Sequence, residues 1–320
     1  MPSLELKGKR LLVAKEGPKL RAISWSGWVP IRLTPQAIEP RWRPRQAQVL
    51  KEETRRYLQE GGELKKIEDY SAYRGPESAI FDKVDQKGFA SFLVQPGSFK
   101  AHFLGARRLD KMTGEELRKG VRGKLDVAPG EKGKLDDLLQ HAASAGAAVL
   151  LIGNKYIAIP RRSSKVSFYP DLFHLFSGRI RVGRGTGRYE SPQQTALREV
   201  SDETGISKKQ LVFLGPGLKQ AHWKKAMPFM VVRTLDIANF DLLYALKVNA
   251  ADPDRFVRQN FLKTGEGNYA VKPSGESWEH SSVEIIPQTK EAVDGFVRKH
   301  REDLSPTLAM VLHAFKKALD

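Results

Sequence analysis

One stretch, residues 183–206, limits what this chain can fold into more than any other. It opens Gly183-Arg184-Gly185-Thr186-Gly187-Arg188-Tyr189-Glu190, runs through residues 191–204 and closes on Gly205-Ile206. Glycine tolerates backbone turns that other residues resist, so a glycine-rich turn here leads into a short helix. Ser191 suits the N-cap, Pro192 the first helical position, and Gln194 completes a Ser-x-x-Gln capping box. Gly205 falls where a left-handed residue ends a helix. Inside the helix Ala196, Leu197 and Val200 form an apolar stripe. Glu199, Asp202 and Glu203, spaced i, i+3 and i+4, share one face.

Like charges at that spacing repel by a few tenths of a kcal/mol per pair, roughly. A cation between them reverses the sign, and hard ions such as Mg²⁺ or Mn²⁺ take oxygen ligands of this kind. Three acids alone would also fit a solvated helix face. The rest of the stretch favours the cation. It resembles the Nudix box, which reads Gly, five residues, Glu, seven residues, then Arg-Glu-aliphatic-x-Glu-Glu-x-Gly-aliphatic. Glu190, Arg198, Glu199, Val200, Glu203, Gly205 and Ile206 fall at the required spacing. Arg184 stands at the opening glycine position, flanked by Gly183 and Gly185, and Asp202 replaces a Glu with a shorter acid.

The resemblance implies an α/β fold, an α/β/α sandwich with a mixed sheet, over residues 146–320. It implies metal-dependent hydrolysis of a phosphoanhydride bond in a nucleoside diphosphate linked to another group. Glu199 and Glu203 would then be the main ligands of Mg²⁺ or Mn²⁺, with Asp202 a third and a backbone carbonyl near Arg184 completing the shell. Arg198 would pair with Glu190 as support, with Gly205 ending the helix. The general base stays open between Glu203, Glu279, Glu276, Glu266 and Glu284, with His280 behind them. Each loop acid has solvation as its plain alternative. Arg161, Arg179, Arg181 and Arg188 are the candidate phosphate contacts, because a planar guanidinium fork matches phosphate oxygens. Tyr156, Phe173 and Trp223 are candidate stacking surfaces for a base.

Charge supports a polyanionic substrate or partner: the formal net charge is +17, with a pI near 9.9. Nucleic acid is one such partner, and a nucleotide-derived substrate is another. Residues 1–50 hold ten Lys or Arg against three Asp or Glu. There the Arg41-Trp42-Arg43-Pro44-Arg45 cluster interleaves an aromatic with cations, which suits phosphate and stacking contacts. It equally suits a basic connector with Trp42 in the core. A Nudix-fold protein that binds RNA, DNA or a ribonucleoprotein through this surface, with weak or absent catalysis, is therefore the second reading.

Zero Cys excludes disulfides, zinc–thiolate sites and thiol nucleophiles. No apolar run reaches membrane-span length, and the N-terminus lacks a secretory signal. A cytoplasmic location is expected, with organelle import left open, as is the oligomeric state. Residues 1–145 read as a basic α+β region of unassigned function, with helices expected at 47–60, 109–118 and 133–145. After it, 147–152 and 156–159 read as a hairpin, 211–214, 228–235 and 242–248 as strands, and 264–282 as a polar loop. Segments 290–300 and 306–319 read as amphipathic helices.

Overall fold

The computed structural model describes residues 10–16, 19–35, 42–60, 71–74, 90–97, 102–104, 106, 141–166, 168–182, 188–234, 239–272 and 277–319. The strands are β1 (Arg10–Glu16), β2 (Lys19–Ser26), β3 (Ile31–Pro35), β4 (Ser71–Arg74), β5 (Ala90–Gly97), β6 (His141–Ile152), β7 (Tyr156–Arg162) and β8 (Phe176–Arg179). They continue with β9 (Leu211–Leu214), β10 (Gln220–Ala221), β11 (Met230–Thr234), β12 (Asn239–Val248), β13 (Phe261–Lys263), β14 (Asn268–Val271) and β15 (His280–Pro287). The helices are α1 (Trp42–Gln59), α2 (Pro192–Thr204), α3 (Pro253–Asn260), α4 (Lys290–Lys299) and α5 (Pro306–Lys316).

The main path through the sheet is β1-β2-β11-β12-β6-β7-β15-β14-β13. It is mixed: β12 runs parallel to β6, while β6–β7 and β7–β15 are antiparallel. Alternation along β12 sends Phe240, Leu242, Tyr244 and Leu246 to one core and Leu243 and Ala245 to the other. The first core takes Ala196 and Val200 of α2 and Phe256 and Val257 of α3. The second takes Val293 and Phe296 of α4 and Leu308, Val311, Leu312 and Phe315 of α5. Helices thus cover both faces of a mixed sheet, giving the α/β sandwich. No helix among the described residues is long and apolar enough to cross a membrane.

Residues 141–145, expected to end a helix, are strand. Ala143, Ser144 and Ala145 are buried between β12 on one side and β8 on the other. Small side chains fit that crowded position, and burial on both faces overrides the helix propensity of alanine. The division expected between 145 and 146 accordingly falls inside β6, and β1 and β2 extend the same sheet through β11. Within the expected loop 264–282, residues 268–271 form β14 and β15 begins at 280, so that β13, β14 and β15 pair in succession. Trp42, Arg43 and Arg45 lie in the first turns of α1. Arg41, residues 109–118 and 133–140, and the turn 183–187 lie outside the described residues.

A polar cluster lies inside the second core. Asp241 is 1% exposed, accepts from Asn239 Nδ2 at 2.8 Å, and has no hydrogen-bond partner at Oδ2 among the described residues. Burial pushes its carboxyl up to about 7, against the opposing hydrogen bonds from Asn239 and Thr234. A carboxyl neutral up to about pH 7 when folded and ionising near 4 when unfolded contributes stability at low pH. That contribution is full below about pH 4, declines above it and is gone once pH has risen past about 7. Relative to Asp241→Asn, the wild type should lose on the order of 3 kcal/mol of unfolding free energy between pH 5 and pH 8. Urea titrations of both proteins at the two pH values measure the difference.

Candidate active site

The helix α2 is fastened at both ends as its residues dictate. Ser191 Oγ accepts from Gln194 N at 3.1 Å while Gln194 Oε1 accepts from Ser191 N at 3.0 Å. At the other end Gly205 has φ 73°, and its N–H donates to Ser201 O at 2.8 Å. A side chain at that φ would be strained.

Arg198 is the hub on the sheet side. Its Nε donates to Glu190 Oε1 at 3.0 Å and its Nη2 to Glu190 Oε2 at 3.1 Å, the bidentate arrangement typical of strong Arg–carboxylate pairs. Nη2 also donates to Arg179 O at 2.9 Å, tying α2 to the end of β8. Thr195 Oγ1 donates to Glu190 Oε2 at 2.9 Å. Nη1 of Arg198 lies 2.5 Å from Glu199 Oε1 and 3.9 Å from Asp202 Oδ2. Burial acts to lower the Arg198 pKa, but Glu199 and Glu190 outweigh it, so the shift is upward. The guanidinium stays charged.

Glu199 and Glu203 are 4% and 1% exposed, whereas a third of the Asp202 side chain is exposed. Glu199 rests on Gly178 of β8: a Cβ there would lie 2.2 Å from Glu199 Oε1. Only glycine lets the carboxylate settle against the strand. Gly178→Ala should displace Glu199 and cost about 1–3 kcal/mol of stability. Urea denaturation checks this.

Glu203 meets the start of β15. His280 Nε2 lies 2.9 Å from Glu203 Oε2, and the imidazole packs edge-on against Phe176, with ring centroids 5.3 Å apart. Burial, then Arg162, pushes the His280 pKa down to about 3. The neutral ring donates to the Glu203 carboxylate. Arg162 Nη2 contacts Glu279 Oε2 at 3.3 Å, and Ser163 N donates to Glu279 O at 2.7 Å. Glu279, the first of the loop acids considered as base, is thus held next to the residue that holds Glu203.

The other candidates divide by sheet face. On β7, Ile157 and Ile159 enter the second core and Ala158 the first. Arg161 follows the isoleucines: its Nε donates to Asp171 O at 2.8 Å, its Nη2 lies 3.5 Å from Asp303, and its guanidinium lies over Phe173. It is Arg162 that reaches the α2 corner, and period-2 alternation was the signal that separates the two. Glu284 lies between Val283 and Ile285 of the first core, so it faces α4, where Lys299 and His300 bind it. Glu266 is exposed in the β13–β14 turn. Tyr156 is hydrogen-bonded to Asp254, and Phe173 is 2% exposed against Phe296. Trp223 is 41% exposed, with His222 stacked at a centroid distance of 6.4 Å and Lys224 Nζ 5.5 Å from the ring centroid. Arg181 and Arg188 are exposed on either side of the turn 183–187. Arg184 and Glu276 lie outside the described residues.

The donor set here suits a hard divalent ion: oxygen ligands from one helix face, with five carboxylates (Glu190, Glu199, Asp202, Glu203, Glu279) around two guanidinium groups (Arg162, Arg198). Their arrangement is closed. Arg198 sits between Glu199 and Asp202, His280 sits on Glu203, and no three His, Asp or Glu side chains converge on a metal position among the described residues.

No family model matches the sequence, and no curated protein matches it. Solved structures are similar to it over about half of its length. A C. elegans Ap4A hydrolase in a binary complex shares 15% identity over 55% of this chain and 96% of that chain, with a TM-score of 0.30. A MutT protein from Methanosarcina mazei Go1 shares 14% over 55% and 93%, with a TM-score of 0.30. RenU, a Nudix hydrolase from M. smegmatis, shares 11% over 55% and 84%, with a TM-score of 0.31. At these identities and scores the likeness is one of general shape and carries no chemistry over to this chain.

Proposed function

We propose that the chain is a Mg²⁺- or Mn²⁺-dependent hydrolase that cleaves a phosphoanhydride bond in a nucleotide-derived substrate by water attack at phosphorus. One observation carries this reading: a single turn of α2 presents Glu199, Asp202 and Glu203, two of them almost fully buried. Taking a carboxylate out of water is costly even when it is paired, and apolar residues in place of a buried pair are often neutral or stabilising, so a chain with no use for the charge has little reason to keep it there.

Glu199, Asp202 and Glu203 would hold the ion. When bound, it neutralises phosphate oxygens, lowers the pKa of attacking water and stabilises the leaving phosphate. His280 fixes one oxygen of Glu203 and so orients the carboxylate that would act on water. Glu279, oriented by Arg162, is the second proton acceptor in reach of that corner. Arg181 and Arg188 supply positive charge where the substrate phosphates enter. The Glu190–Arg198 pair keeps α2 pressed on β8, so the carboxylates are positioned before substrate arrives.

Binding without turnover is the second reading. Arg198 on Glu199 and His280 on Glu203 favour it, since both buried carboxylates already have partners. Phosphate release with Mg²⁺ and Mn²⁺ across nucleotide sugars, dinucleoside polyphosphates, nucleoside triphosphates and capped RNA separates the two. Turnover of at least one compound supports hydrolysis. Inertness to all of them, together with salt-sensitive RNA binding, supports the second reading.

A further inference from the structure

Trp278 is 57% exposed, the most exposed of the large apolar side chains among the described residues. It occupies the short 3-10 turn Ser277–Glu279 that leads into β15. That turn is fastened on the side of α2. The Glu279 carbonyl accepts from Ser163 N at 2.7 Å, the Glu279 carboxylate meets Arg162 at 3.3 Å, and His280 meets Glu203 at 2.9 Å. Two residues of chain span at most about 7 Å, so the backbone of Trp278 lies within that distance of His280. A large aromatic is therefore held in water at the rim of the carboxylate site. The next residue, Glu279, holds the Arg162 guanidinium, and burying the Trp278 ring would have stabilised the fold by roughly 2 kcal/mol. Trp223, also exposed, sits on a turn tied through Ala226 O to Gln193 at the start of α2, and its ring already has His222 stacked beside it and Lys224 over it.

We infer that Trp278 is the platform on which the base of the nucleotide substrate stacks, which deepens the hydrolase reading above and rests on it. An aromatic face accepts any base, so the substrate class is nucleotides as such, with purines held more firmly by their larger ring. Phosphates on the same molecule then lie within reach of the α2 carboxylates.

Calorimetry with Mn²⁺ present and two non-hydrolysable probes tests this: α,β-methylene-ADP, which carries a base, and methylenediphosphonate, which does not. Trp278→Ala should weaken the first about tenfold, leave the second unchanged, and raise KM with little change in kcat. Trp278→Phe should restore most of the lost affinity. Equal affinities of wild type and Trp278→Ala for α,β-methylene-ADP overturn the platform while leaving the hydrolase reading standing. A wild type that binds neither Mn²⁺ nor either probe removes both. A melting temperature unchanged in Trp278→Ala shows that the loss is local.

Discussion

Glu203→Gln should lower turnover about 10²- to 10⁴-fold, the range expected when a positioned proton acceptor is lost. The substitution keeps the size and shape of the side chain. It also keeps an oxygen that accepts from His280 Nε2, so the corner against Phe176 stays packed. What disappears is one negative charge on the face shared with Glu199 and Asp202, and the anionic oxygen that deprotonates water. Because Glu203 is 1% exposed and buried charge is costly, the fold itself should become no less stable, and the melting temperature should hold or rise. Steady-state phosphate release and a thermal melt on the same preparation separate these effects. Full activity in Glu203→Gln would remove this residue from the chemistry. A collapsed melt would mean that it serves the core instead.

Arg198→Ala carries the largest expected loss of stability. The side chain is 7% exposed and serves Glu190, Glu199 and the Arg179 carbonyl at once. Removing it strands two carboxylates in a poorly hydrated place and frees α2 from β8. Breaking a buried ion pair by deleting one partner costs about 3–5 kcal/mol, which a urea titration reads directly. Arg198→Lys should recover little, because an ammonium cannot make the two parallel bonds to Glu190 together with the bond to Arg179 O. A loss below about 1 kcal/mol in Arg198→Ala would mean that the pair behaves like an exposed surface bridge.

Much of this site is legible in the sequence alone. The caps of α2, the apolar stripe and the shared acidic face depend on local spacing, and local spacing is what sequence records. What escaped depends on which face of a strand looks at which helix. Arg161 and Arg162 are chemically alike and adjacent, and only the pairing of β7 with β15 sends the second towards Glu279 and the first towards Asp303. Glu284 looked like a loop acid near the site, yet one residue of register places it on the α4 side of the sheet. Gly178 carries no signal in sequence, since its role is the room it leaves for a carboxylate 21 residues on. The strand at 141–145 was hidden for a related reason. Its alanines follow helix preferences when isolated, and strand pairing on both sides overrides them.

The closed arrangement of Arg198 and His280 gives the metal question a definite form. For a divalent ion to bind between Glu199 and Asp202, either the Arg198 guanidinium, a rigid plane held by Glu190 through Nε and Nη2, must shift as a unit or the two carboxylates must rotate away from its Nη1. Manganese binding to the intact protein, followed by calorimetry or by loss of the free-ion paramagnetic resonance signal, tests this most directly. One saturable site, weakened at least tenfold in both Glu199→Gln and Glu203→Gln while Glu266→Gln leaves it unchanged, is the expected result. No saturable uptake by the wild type, or uptake indifferent to both substitutions, would contradict the claim that these carboxylates exist to hold a metal ion.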